Sequence, residues 1–288
     1  MAKRAFILGY PRSGTSLLRL LLNEHSKIIA PPECGYMQWL FPHFSNWVPE
    51  DSIDKFISAV ISSRKFETWD VSEDNLRDHL IRSNSQNYGD LCEHVHRSWR
   101  SNSSPNCEVI IDKNNYYINH LDEIAEIWPD AFYIHLIRDC RGVIASHKDL
   151  KDLKLPAKYA PKFSENYIVL ANDWTQKVEQ IEKWLEQRYA DRSITIKYEN
   201  LIQKPDKVLD SVLSMWSLGY ETKMLDYFKS NAKYNNEPKA TIGWKHKTKE
   251  PVDLQNAKNY LNRLSAKELQ EIWKEAEILL ERFGYKHL

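Results

Sequence analysis

AFILGYPRSGTSLLRLLLNE, residues 5–24, begins as an apolar run, breaks at Gly9, meets Gly14 and then enters a leucine-rich segment. That order reads as strand, tight turn and helix. Such a turn aims backbone N–H groups and the positive end of a helix at an anion. Gly14 lets the backbone come close to a ligand. Ser13, Thr15 and Ser16 offer hydroxyls, and Arg12 offers a cation. Thr15 stands where enzymes that cleave nucleoside triphosphates carry a Lys reaching the β- and γ-phosphates. The turn therefore suits a nucleotide with one phosphate at its 5′ position; a plain strand-to-helix turn with capping hydroxyls is the alternative.

Four further apolar runs read as buried strands: Lys27–Ala30, Val109–Ile111, Ala131–Ile137 and Ser193–Lys197. Short continuous runs of this kind fit a parallel sheet covered on both faces. Between Glu165 and Arg188, Tyr167, Leu170, Trp174, Val178, Ile181 and Leu185 share one helical face. Ser265 and Glu268 form a capping box for a last helix that ends near Gly284. Strands separated by helices predict an α/β fold of three layers, α/β/α, around a central parallel sheet. The stretch from about 36 to 106 is helical and polar, and reads as an insertion after the second strand. The whole of 1–288 is expected to be a single domain. Residues 230–253, polar, basic and interrupted by Pro238 and Pro251, are expected to be a long irregular loop.

The chain of 288 residues carries 40 Lys and Arg against 40 Asp and Glu, a formal net charge of zero. That balance argues against a nucleic-acid binder. Cys34, Cys92, Cys107 and Cys140 lack metal-ligand spacing and are too few for a disulfide framework, so reduced thiols and a cytoplasmic location are expected. After Lys3 and Arg4 the apolar run is cut short by Gly9 and Pro11, unlike a signal peptide, and no run is long enough to span a membrane.

A second motif stands at FYIHLIRDCRGVIASHKD, residues 132–149: an apolar strand ending in Arg138 and Asp139, then a helix with Arg141 and Ser146. Arg138 at the carboxyl end of a parallel strand faces the crevice where ligands of open α/β sheets sit, and its guanidinium can hold a phosphate in two places. A structural Arg138–Asp139 cluster is the alternative reading. Pro11–Leu18 resembles the 5′-phosphosulfate loop of the sulfotransferases that use 3′-phosphoadenosine 5′-phosphosulfate (PAPS), in particular the group of tyrosylprotein and many bacterial sulfotransferases. Arg138 and Ser146 match the family's pair for the 3′-phosphate. ITIKYENLIQKPDKVL, residues 194–209, and TIGWKHKTK, residues 241–249, are similar to two further family segments. The resemblance implies nucleotide contacts from Tyr198, Trp244 and Lys245, with Lys247 and Lys249 as substitutes, and a loop at about 230–253 that covers the cofactor.

The resemblance also implies a catalytic set. Glu33, in IIAPPECGYMQW, stands where the family has its general base. Lys113, after the third strand, stands where the family stabilises the leaving group, although Asn114 and Asn115 follow where a proline is common. Arg12 is expected to assist. Sulfuryl transfer needs in-line positioning, a neutralised leaving oxygen and removal of the acceptor proton, and no obligatory metal. His94, His96 and His120 are alternative bases. The aromatic stretch YMQWLFPHFSNW, residues 36–47, either lines an acceptor pocket or packs the core. The acceptor hydroxyl is left open between a small molecule, a glycan, a lipid and a peptide tyrosine. Two rivals remain: a P-loop kinase using Asp112 for magnesium, and an inactive nucleotide-binding relative.

Overall fold

The computed structural model describes residues 2–99, 106–151 and 158–287, the side chain of Lys151 excepted. Five parallel strands form one sheet: β1 (Lys3–Leu8), β2 (Ile28–Ile29), β3 (Val109–Lys113), β4 (Phe132–Ile137) and β5 (Ser193–Lys197), in the order β2-β3-β1-β4-β5. All five lie on the expected apolar runs. β2 is shorter than expected, and β3 runs on through Asp112 and Lys113. Pairing explains the extension, because Phe6 and Ile7 of β1 register with Asp112 and Lys113.

Alternation along the strands divides the core. Ala5 and Ile7 of β1, with Val109 and Ile111 of β3, pack on Leu18, Leu21 and Leu22 of α1 (Thr15–Asn23). Phe6, Leu8, Ile110 and Tyr133 point to the other face. There they meet α2 (Tyr36–Phe44), α3 (Ile53–Ile61), α4 (Glu73–Ile81), α5 (Tyr88–Ser98) and α6 (Leu121–Ile127). Helices α2–α5 all fall between β2 and β3, as the helical insertion requires; residues 100–105 of that stretch lie outside the described residues. A third cluster joins α7 (Cys140–Lys151), α8 (Tyr167–Arg188) and, near the carboxyl end, the helix Ala266–Arg282. Both halves of the expected capping box form at Ser265 and Glu268.

After β5 come α9 (Tyr198–Gln203), α10 (Pro205–Ser214), α11 (Tyr227–Tyr234) and α12 (Lys239–Ile242); the helix Ala266–Arg282 is α13. The segment 230–253 is thus less irregular than expected. Asn235, at φ 52°, ends α11, Pro238 precedes α12, and a 3-10 turn follows at His246–Lys249. Turns of four residues are too short to show a hydrophobic period, which is why the sequence reads there as loop.

Candidate active site

β1 has β3 on one side and β4 on the other, so the connections leave in opposite directions and open a crevice at its carboxyl end. The Gly9–Ser16 turn follows β1, Lys113 ends β3, Arg138 follows β4 and Glu33 follows β2. A cleft of about 760 Å³ opens there, lined by Arg12, Gly14, Thr15, Ser16, Glu33, Arg138, Ser146, Tyr198, Trp244 and Lys245. Buried Ser13 and Lys113 adjoin it. Ten of the twelve residues singled out by sequence thus line one cleft.

The turn owes its shape to two left-handed residues, Arg12 at φ 73° and Gly14 at φ 97°. A Cβ on Gly14 would stand 2.5 Å from the Tyr198 ring, so this position tolerates only glycine. The Arg138 guanidinium lies 4.4 Å from the centroid of the same ring. Tyr198 is therefore a floor beneath the turn, packed by both neighbours.

Arg12 points along the cleft to the second motif. Its Nε donates to Ser146 Oγ at 3.1 Å and its Nη1 to the Trp244 carbonyl at 3.0 Å. Arg138 Nη1 donates to the Arg12 carbonyl at 3.0 Å, and Nη2 to the Asn256 carbonyl at 3.1 Å. Burial, and next the charge of Arg138, lower Arg12 to about 10. The same two causes act on the neighbouring His147, where burial and then Arg12 and Arg138 lower the imidazole to about 3. Ser13 Oγ and Arg138 Nε are buried with no hydrogen-bond partner among the described residues. Two crowded guanidiniums with spare donors are an arrangement suited to an anion.

Lys247 joins this pair through Asn256: its Nζ donates to Asn256 Oδ1 at 2.6 Å, and Arg138 donates to the carbonyl of the same residue. Lys247 is lowered by partial burial, and Arg138 and Arg12 are among the charges acting on it, with Asp149 opposing. Lys245 turns instead to Glu237 Oε1, at 2.6 Å. Trp244 packs with Leu150 and Tyr159 in a small apolar cluster.

Glu33 marks the other end of the cleft. Its Oε2 accepts from Lys113 Nζ at 2.8 Å and its Oε1 from Lys65 Nζ at 2.9 Å, while Lys245 Nζ lies 3.8 Å from Oε2. Burial opposes the carboxylate, but Lys113, Lys245 and Lys65 outweigh it and hold Glu33 well below the usual range. Burial pulls the Lys113 ammonium down to about 8 against the attraction of Glu33. Behind Lys245, Glu237 is also bound by Arg19 of α1 at 2.9 Å, and both side chains are 1% exposed. Thr15 Oγ1 donates to Asn115 Oδ1 at 3.3 Å. Asn114 caps the 3-10 turn Asn115–Asn119 by accepting from Tyr116 N.

The alternative bases lie elsewhere. None of His94, His96 and His120 lines the cleft. His96 Nε2 is 3.2 Å from Asp112 Oδ2, and Tyr117 donates to the same oxygen at 2.8 Å. Asp112 registers with Phe6 and faces the sheet side opposite α1, which leaves it unsuited to hold magnesium at the turn. Of the aromatic stretch, Trp39 reaches the cleft and stands 6.4 Å from the Tyr116 ring. Tyr36, Met37 and Trp47 are buried in the core, and Phe41 and Phe44 pack on it.

Lys65, Glu237 and Arg19 escaped the sequence reading. Lys65 lies in the polar insertion, with a left-handed backbone that no residue type announces. Arg19 lies in the leucine-rich helix beyond the turn, where no motif marks it.

Fold and cleft define a class: a parallel α/β protein with a cationic crevice at the switch point and a lysine-bound carboxylate in its wall. The chain belongs to the Sulfotransferase family, whose model matches residues 4–222, and such enzymes transfer sulfuryl groups. It is 27% identical over 225 residues to a Caenorhabditis briggsae protein named "Putative protein-tyrosine sulfotransferase", covering 77% of this chain and 68% of that one. It is 23% identical over 223 residues to Protein-tyrosine sulfotransferase 1 of Danio rerio, covering 77% of this chain and 55% of the relative. The sulfotransferase domain of the Synechococcus PCC 7002 olefin synthase has the same fold, with TM-score 0.65 and 20% identity over 99% of this chain and 96% of that one. No helix among the described residues is long and apolar enough to cross a membrane.

Proposed function

We propose that this chain acts as one catalytic domain that moves a sulfuryl group from PAPS to an acceptor hydroxyl, releasing adenosine 3′,5′-bisphosphate. The observation that carries this reading is the meeting of Glu33 and Lys113, 80 residues apart in sequence, at 2.8 Å on the switch-point crevice. One is a base for the acceptor proton. The other is an ammonium for the leaving oxygen. Lys113 ends the strand beside the one that leads into the turn suited to a 5′-phosphosulfate, and Glu33 lines the same cleft as that turn.

The donor fits the residues present. Arg19, Lys65, Lys113 and Lys245 face Glu33 and Glu237, a surplus of two positive charges. A phosphosulfate carries two negative charges. Ser13, Gly14, Thr15 and Ser16 would hold it with backbone N–H groups and hydroxyls. Arg12, Arg138, Ser146 and Lys247 would hold the 3′-phosphate, with Tyr198 beneath them and Trp244 shaping the wall. Arg12 stands at that end, and helping the leaving oxygen requires its side chain to turn. Lys245 joins the sulfuryl end through Glu33 and Glu237.

In transfer, the sulfur–oxygen bond to the acceptor forms as the bond to the 5′-phosphate breaks. The acceptor proton passes to Glu33 and the charge on the departing phosphate is met by Lys113. Binding and positioning account for the remaining rate enhancement. The free thiols of buried Cys34, Cys92 and Cys140 fit a reducing compartment, and a cytoplasmic location is proposed. The acceptor is an alcohol or phenol.

The test is incubation with PAPS and a panel of phenols, sugars, hydroxylated lipids and tyrosine peptides. Sulfated product and adenosine 3′,5′-bisphosphate in equal amounts are expected. No bisphosphate from any member, with or without acceptor, would contradict the reading.

A further inference from the structure

Three ammonium groups surround Glu33, and they are not equivalent. Lys113 belongs to β3, is 1% exposed and holds Oε2. Lys245 lies 3.8 Å from the same oxygen and is bound more closely by Glu237. Lys65 alone, among the described hydrogen bonds, holds Oε1. It comes from neither strand nor nucleotide loop, but from the helical insertion between α3 and α4.

The backbone that delivers Lys65 is strained and clamped. Lys65 has φ 73°, a left-handed conformation that is unfavourable for a residue bearing a side chain. It is the residue that precedes and caps a short 3-10 turn, Phe66–Trp69. Trp69 Nε1 donates to the Pro32 carbonyl at 2.9 Å, and Cys34 Sγ donates to the Arg64 carbonyl at 3.5 Å. These two bonds fasten the turn to the residues on either side of Glu33. Thr68 closes it by donating from both N and Oγ1 to the Lys65 carbonyl, at 2.9 and 2.7 Å. The Lys65 side chain then runs past the Tyr159 ring, 6.0 Å from its centroid, along the cleft wall.

Lys113 is buried and holds Oε2, whereas Lys65 lines the cleft and holds Oε1, so Oε1 is the oxygen on the cleft side, where an acceptor hydroxyl would arrive. We propose that Lys65 is a positioning residue for sulfuryl transfer, holding the Glu33 carboxylate aimed with Oε1 towards the cleft until an acceptor hydroxyl shares that oxygen. The proposal rests on Glu33 being the base. It gives the insertion a role in the chemistry: a strained turn, pinned to Pro32 and Cys34, sets the base against the donor site. The groups facing Glu33 are Lys65 from the insertion, Lys113 from β3 and Lys245 after α12, with Glu237 behind Lys245. Removing Lys65 takes one positive charge from this set and leaves two.

The test compares wild type, Lys65→Met, Lys65→Arg and Glu33→Gln. Acceptor-free hydrolysis of PAPS is followed at saturating donor as release of bisphosphate. The Glu33 carboxyl is titrated by NMR with isotope-labelled glutamate, assigned by its loss in Glu33→Gln. Lys65→Met should raise the Glu33 titration midpoint by about one unit or more. It should also lower turnover about tenfold and leave the affinity for adenosine 3′,5′-bisphosphate within about twofold of wild type. Lys65→Arg should recover both the midpoint and most of the turnover. An unmoved Glu33 midpoint, or bisphosphate affinity falling as far as turnover, overturns the proposal. Full hydrolysis by Glu33→Gln overturns the base reading and the Lys65 role with it. An inactive Glu33→Gln beside an unaltered Lys65→Met overturns the Lys65 role alone.

Discussion

Glu33 has an ammonium on each carboxylate oxygen and is therefore ionised well below neutrality. Replacing it with Gln keeps the shape and removes the proton acceptor. Glu33→Gln should lower kcat for sulfation by about a hundredfold to ten-thousandfold while bisphosphate binding persists, read by product formation and calorimetry. Lys113, lowered to about 8, sets the alkaline side. It is charged below that value and neutral above it, so kcat/KM for the donor should fall as pH rises through about 8, and Lys113→Arg should move that limb upward. At this scale the sequence was informative where a residue closes a motif, as at Arg12, Glu33, Lys113, Arg138 and Ser146. It was silent where a residue serves another residue. Lys65 and Glu237 are visible only once their two segments have folded against Glu33 and Arg19.

Among the elements, the segment from α11 to the turn at His246–Lys249 is tied to α1 by Arg19, which donates to the Asn236 carbonyl at 2.8 Å and to Glu237. Glu237 accepts from Arg19, Lys245 and Thr241. Burial opposes its charge, but Lys245 and Arg19 lower it from 4.5 to about 2. A carboxyl depressed on folding adds stability that is present above its unfolded value and lost as pH falls. Stability should therefore decline between pH 4.5 and about 2, as followed by urea unfolding across that range. Glu237→Ala should cost about 3–5 kcal/mol by the same measurement, because it leaves Arg19 and Lys245 buried beside each other. The five strands were legible because buried parallel strands are continuous apolar runs, and α8 and α13 because long helices repeat their apolar face. Helix α12 and the turn at His246–Lys249 were not, since each spans four residues, too few to show a repeating hydrophobic period.

For the whole molecule, a neutral chain concentrates positive charge at one sheet edge. Arg12 and Arg138 gather at one end of the cleft and Lys65, Lys113 and Lys245 at the other. The most direct test of a sulfuryl-donor site is thermal unfolding with adenosine 3′,5′-bisphosphate, adenosine 5′-monophosphate or magnesium ATP, in wild type and Arg138→Ala. A ligand at a hundred times its Kd stabilises the folded state by about 2.7 kcal/mol. The bisphosphate should raise the Tm of the wild type by several degrees, far above the monophosphate, and Arg138→Ala should erase that difference. Equal responses to bisphosphate and monophosphate, or stabilisation by magnesium ATP alone, would contradict it.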